Sequence, residues 1–140
     1  MNRGEFDQLF ARRVDATNRH DLNVLMADYA DDCVLESPMA GKVTGPDAVA
    51  RVFQAWFTAF PDVTQRLESL IVDGDRVAQI VKIAGTDTGG FMGLDPTHKS
   101  FEATFVFLFT FRDRKIVNER RIYDYTGMLV QLGVLKAKPA

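Results

Sequence analysis

One cysteine, Cys33, and two histidines, His20 and His98, are all the thiol and imidazole chemistry that 140 residues contain. A lone thiol excludes an internal disulfide, and one Cys with two His falls short of a Cys/His zinc site. No acidic loop of the calcium-binding kind is present either, so no metal is expected. A block of one charge is also missing. With 17 Lys and Arg against 19 Asp and Glu, the formal net charge is −2, which argues against nucleic acid or an anionic membrane as partner. No apolar run approaches the ~18 residues of a membrane span. The charged start Met1-Asn-Arg-Gly-Glu-Phe6 has no signal-like apolar segment, and a cytoplasmic location is expected. Repeats, linkers and low-complexity stretches are absent, and the length suits one domain over residues 1–140.

Phenylalanine is plentiful, at 11 residues. Phe6, Leu9, Phe10, Val14 and Thr17 recur at helical spacing over residues 5–19, and a short second helix is predicted through Leu22, Leu25, Met26 and Tyr29. Cys33 to Glu36 reads as a strand stopped by Ser37-Pro38, followed by a turn or small hairpin over 41–45. Gly45-Pro46-Asp47 opens a third helix whose apolar stripe is Val49, Val52, Phe53, Trp56, Phe57 and Phe60. Strands follow over 63–72 and 76–84 around Asp73-Gly74-Asp75, then a loop over 85–97, a Phe-rich strand pair and a last helical turn over 125–135. Helices first and a mainly antiparallel sheet afterwards define an α+β domain, with the sheet's aromatic face packed on the long helix.

The Phe-rich pair carries the candidate chemistry. Phe101, Phe105, Phe107, Phe109 and Phe111 lie at every second residue apart from Ala103, so they share one face of a strand. A turn of two or four residues at Asp113-Arg114 gives one and the same register. It sets Phe109 opposite Asn118, Phe107 opposite Arg120, Phe105 opposite Ile122 and Ala103 opposite Asp124. Asp124 then sits beside the smallest residue of the wall, where a ligand has room, and is the candidate base. Arg120 and Asn118 face inward with it, and an inward Arg needs a carboxylate or a ligand. Glu36, at a strand end stopped by Pro38, is the candidate second carboxylate. Phe53, Trp56, Phe105 and Phe107 are core residues first, each worth about 1.5–3 kcal/mol when buried, and pocket walls second. An Asp between a strand and a short helix is equally suited to capping that helix.

Four segments carry a resemblance to the SnoaL-like polyketide cyclase family of the NTF2-like superfamily: Tyr29-Ala-Asp-Asp-Cys-Val-Leu-Glu-Ser-Pro38; Gly45-Pro-Asp-Ala-Val-Ala50 with Ala59-Phe-Pro-Asp62; Gly85-Thr-Asp-Thr-Gly-Gly-Phe-Met-Gly-Leu94; and residues 116–133, ending in Asp124-Tyr-Thr-Gly-Met-Leu-Val-Gln-Leu-Gly133. The resemblance implies a cone of helices and curved sheet around a pocket. It also implies a cofactor-free aldol condensation whose acid/base Asp falls on Asp124. Asp87 stands where many members have His, and Arg120 where many have Trp. The residues of the related ketosteroid isomerases are not matched, since Ser37, Arg13 and Phe107 occupy their positions.

The expected function is proton abstraction from a small hydrophobic carbonyl compound, with Asp124 as acid/base and Arg120, Asn118 and Glu36 orienting the substrate. Two alternatives use the same cavity: a binding module without turnover, and epoxide-hydrolase-like chemistry on Asp124, Glu36 and Arg120. A homodimer is expected, because Val106 and Leu108 leave the other sheet face partly apolar.

Overall fold

A computed structural model describes residues 1–136. Helix α1 (Arg3–Asn18) starts with a capping box, in which the Asn2 side chain accepts from the Glu5 amide and Glu5 from the Asn2 amide. Helix α2 (Leu22–Met26) is capped by Asp21. It ends earlier than helical spacing suggests. Tyr29 opens strand β1 (Tyr29–Ser37) instead, buried at the centre of the fold where its hydroxyl meets Glu119. Strand β2 (Gly41–Thr44) pairs antiparallel with β1, and helix α3 (Pro46–Ala59) follows with Pro at its first turn. Strands β3 (Thr64–Asp73), β4 (Arg76–Thr86), β5 (Ser100–Arg112) and β6 (Lys115–Ile122) complete the sheet, and helix α4 (Tyr125–Gln131) closes the described chain.

The six strands lie in the order β2-β1-β6-β5-β4-β3, antiparallel except for the β1–β6 pair. The curved sheet packs its aromatic face on α1 and α3. Phe101, Phe105, Phe107, Phe109 and Phe111 are all buried, as are Val49, Val52, Phe53, Trp56, Phe57 and Phe60 from the α3 side. Phe6 and Phe10 of α1 meet Phe111 and Phe109 edge-on at 5.1 Å between centroids. The other sheet face keeps Ile71 and Ile122 exposed.

The loop over 87–99 folds back over one end of the interior. Its backbone touches α3 where a side chain has no space, for a Cβ on Gly89 would lie 1.8 Å from the Thr58 carbonyl oxygen. Asp87 ties the loop together, accepting from the Gly90 amide at 3.0 Å and the Thr97 amide at 3.1 Å. Phe91 is thereby pressed against Trp56 and Phe60.

Candidate active site

One extra residue decides which side chains of β6 enter the core. The β5–β6 pairing starts as the turn dictates, Arg112 opposite Lys115 and Phe111 opposite Ile116, then slips so that Thr110 faces Asn118. Val117 is the unpaired residue of a β-bulge. Beyond it every side chain is inverted relative to the unbroken register. Phe109 pairs with Glu119 and Phe107 with Arg121, while Leu108 of the outer face pairs with Arg120. Asn118 and Arg120 are therefore exposed, and Glu119 and Arg121 are buried, at 1% and 6% exposure.

The two inward charges join a buried network. Arg121 Nε donates to Glu119 Oε2 at 2.6 Å, and the Tyr29 hydroxyl donates to Glu119 Oε1. Tyr29 in turn accepts from Arg13 Nη2 at 2.9 Å. Arg13 Nη1 reaches Asp28 Oδ2 and the Leu25 carbonyl, both at 3.1 Å, and Arg12 closes the series on Asp28 Oδ1 at 2.9 Å. Burial disfavours the Arg13 charge, but the fields of Tyr29, Glu119 and Asp28 outweigh it and raise its pKa. Burial likewise pushes the Tyr29 phenol far above its ordinary range, so it stays a donor. The buried charges balance, Arg13 and Arg121 against Asp28 and Glu119, while Arg12 reaches Asp28 from the exposed surface.

Two buried polar atoms among the described residues lack a hydrogen-bond partner, Arg121 Nη2 and the Tyr123 hydroxyl. The Arg121 guanidinium lies over the rings of Phe53 at 4.7 Å and Phe107 at 5.2 Å. Tyr123 stacks on Phe105 at 4.1 Å and meets Trp56 edge-on. Burial raises the Tyr123 pKa, with Arg121 pulling the other way. Arg121 borders two spaces. Inside is an aromatic cavity of about 40 Å³ walled by Phe53, Trp56, Phe105 and Phe107. Outside, where β1 stops and β6 continues, is a cleft of about 410 Å³ lined by Glu36, Lys42, Arg120, Arg121 and Tyr123, among others.

Phe53, Trp56, Phe105 and Phe107 thus share the inner cavity, and Glu36 and Arg120 share the cleft, as Cα partners in the β1–β6 ladder. Asn118 is not with them. It lines an outer-face groove with Ile71 and Leu108. The inward orientation expected of Asn118 and Arg120 is corrected by the Val117 bulge. Asp124 is exposed rather than enclosed by the Phe wall, and Oδ1 accepts from the Gly127 amide at 2.8 Å as the N-cap of α4. Ala103 has no partner on β6, because the ladder ends at Val106 opposite Ile122.

Glu119, Arg121, Tyr123 and Arg13 are polar residues of the interior that periodicity did not single out, and it assigned Tyr29 to a helix. For β6 the pattern is ambiguous, since Ile116-Val117 and Ile122-Tyr123 put an apolar residue on both parities. Arg13 did carry a signal. It lies three residues after Phe10 on the apolar side of α1, where a buried cation needs partners.

The family model for SnoaL-like polyketide cyclases matches residues 8–132. Nogalonic acid methyl ester cyclase from Streptomyces nogalater is 32% identical over 108 residues, covering 76% of this chain and 78% of the relative. Among solved structures, AclR from Streptomyces galilaeus, a proposed hydroxylase, superposes with a TM-score of 0.84 at 30% identity, covering 99% of this chain and 87% of that one. IdmH from Streptomyces antibioticus, a proposed polyketide cyclase, gives 0.76 at 32% identity, covering 91% and 97%. By the extent of the family match and these identities, the chain belongs to the SnoaL-like polyketide cyclase family.

Proposed function

We propose that the chain is a cofactor-free acid/base enzyme that closes a ring in a hydrophobic carbonyl compound by an aldol-type step. A base removes a proton from an activated CH2, the enolate carbon bonds to a second carbonyl carbon, and the resulting alkoxide takes a proton. Family membership supports a cyclase-like role. The observation that carries the reading is the junction at Arg121, where an aromatic interior meets a cleft lined by charged side chains. A substrate can lie in the cleft, oriented by Glu36 and Arg120, with one edge turned toward the small inner cavity of Phe53, Trp56, Phe105 and Phe107.

Asp124 is the proposed acid/base. It directly follows Tyr123 of the cleft wall, and its Oδ2 has no protein partner among the described residues. The cap it makes allows a clean separation of chemistry from folding, because Asn caps a helix about as well as Asp. Asp124→Asn is expected to keep stability and lower turnover by about 10²–10⁴-fold. Asp124→Ala is expected to lose turnover and about 1 kcal/mol of stability as well. Nogalonic acid methyl ester, the compound for which the relative is named, is the first substrate to assay. Unchanged turnover in Asp124→Asn overturns the assignment.

A second reading, a binding module without turnover, is favoured by the exposed, capping position of Asp124 and the small inner cavity. A ligand retained through purification, with no ring closure by the wild-type protein, would establish it.

A further inference from the structure

Helix α4 carries a glycine in its first turn without a backbone reason for one. Gly127 lies in the helix and is not among the glycines of positive φ, so its conformation suits any residue, and alanine would make the better helix. What the missing side chain leaves is space, and one group fills it. A Cβ on Gly127 would lie 2.7 Å from Cγ and 3.1 Å from Oδ1 of Asp124, and closer still to Oδ2. Its three nearest neighbours are thus the atoms of a single carboxylate.

Capping alone does not require this. Three helices are capped by a side chain that accepts from the amide three residues on: Asn2 from Glu5 at 2.8 Å, Asp21 from Val24 at 3.2 Å and Asp124 from Gly127 at 2.8 Å. The first two make the bond over a residue with a side chain, β-branched in Val24. Asp21 and Asp124 have nearly the same backbone, φ −85° and ψ 84° against φ −77° and ψ 83°. The difference is the seat of the Asp124 carboxylate, which occupies the place where a side chain at 127 would begin.

We infer that Gly127 is a positioning residue for Asp124, its N–H and its absent Cβ together holding the carboxylate in a seat that any other residue at 127 would close. The assignment rests on the ring-closure reading, in which Asp124 is the acid/base. The Gly127 amide engages Oδ1, so Oδ2 is the oxygen left to exchange a proton with the substrate. A base works only within hydrogen-bond reach of its proton, and a displacement of about 1 Å can cost about 10²-fold in rate. The fold makes no such demand. With alanine at 127, Asp124 can turn to the seat that Asp21 takes over Val24 and keep the cap.

The test compares Gly127→Ala, Asp124→Asn and the double variant of the full chain in ring closure of nogalonic acid methyl ester and in urea unfolding. Gly127→Ala is expected to lower kcat by about 10–100-fold, to leave KM within about twofold, and to keep the urea midpoint at or above that of the wild type. In the Asp124→Asn background the same change is expected to lower turnover no further, because it acts only through the carboxylate. The seat itself is read without turnover in a crystal structure of Gly127→Ala, where the carboxylate is expected to have left residue 127. A carboxylate still seated there, or an unchanged kcat beside an inactive Asp124→Asn, overturns the positioning role and keeps the base. A urea midpoint that falls together with kcat, or a further loss in the Asp124→Asn background, overturns it in favour of a structural role. Turnover that survives in Asp124→Asn, or is absent from the wild type, removes the base and this role with it.

Discussion

Strand β5 has two neighbours and meets them differently. Against β4 its register runs unbroken from Arg76 opposite Thr110 to Thr86 opposite Ser100. Against β6 it holds for two pairs and then slips by one residue at Val117. The regular side builds a wall, with Val77, Val81 and Ile83 of β4 buried on the same face as the five Phe of β5. The irregular side selects charges. By inverting the strand after Ile116, the bulge buries Glu119 and Arg121 and turns Asn118 and Arg120 outward. A sheet face thus gains its apolar surface from regular alternation, whereas its polar site depends on one local departure from it.

Three substitutions would break or sharpen this contrast. The largest effect is expected within a pair of adjacent changes on one strand. Glu119→Gln strands the buried Arg121 charge and is expected to cost about 3–5 kcal/mol in urea unfolding. Arg120→Gln, exposed on the opposite face, is expected to stay within about 0.5 kcal/mol. Similar values for the two would contradict the inversion.

The smallest effect belongs to the regular end of β5, before the slip. Arg112 bonds both oxygens of Asp32, at 3.0 and 2.7 Å, and holds that carboxyl below its ordinary pKa. A depressed folded-state pKa stabilises the fold above the unfolded value, about 3.9, and the contribution is lost as pH falls through the lower folded value. Asp32→Asn is therefore expected to flatten the acid side of the stability profile below about pH 4 and to lower stability slightly at neutral pH. Because the pair is exposed, the change should be small and should shrink further in high salt. A steeper acid loss in the variant would reverse the sign and refute the assignment.

The aromatic wall was legible because alternation along β5 is enforced by backbone geometry, and five Phe on one parity leave no second reading. The helix stripe of α3 was legible for the same reason at a different period. The helix cap at Asp124 was legible but its exposure was not, since that depends on where the β5–β6 ladder ends, two residues before it. Tyr29 was read as the end of a helix because Leu22, Leu25, Met26 and Tyr29 share helical spacing. Its place at the head of β1 is explained by Glu119, 90 residues away.

The sequence alone determined the α+β class, the helix and strand order, the Phe-lined interior and, through the Asp124 tail motif, the family. These follow from short-range periodicity, capping and motif spacing, which neighbouring residues settle among themselves. Only the tertiary structure decided which charges of β6 face inward. An added residue at Val117 weakens local pairing, yet it brings Glu119 within reach of Tyr29 and Arg121 beneath Phe53. Such a choice is made by distant partners that burial forces into hydrogen-bonding range, where an unpaired charge would cost more than the bulge.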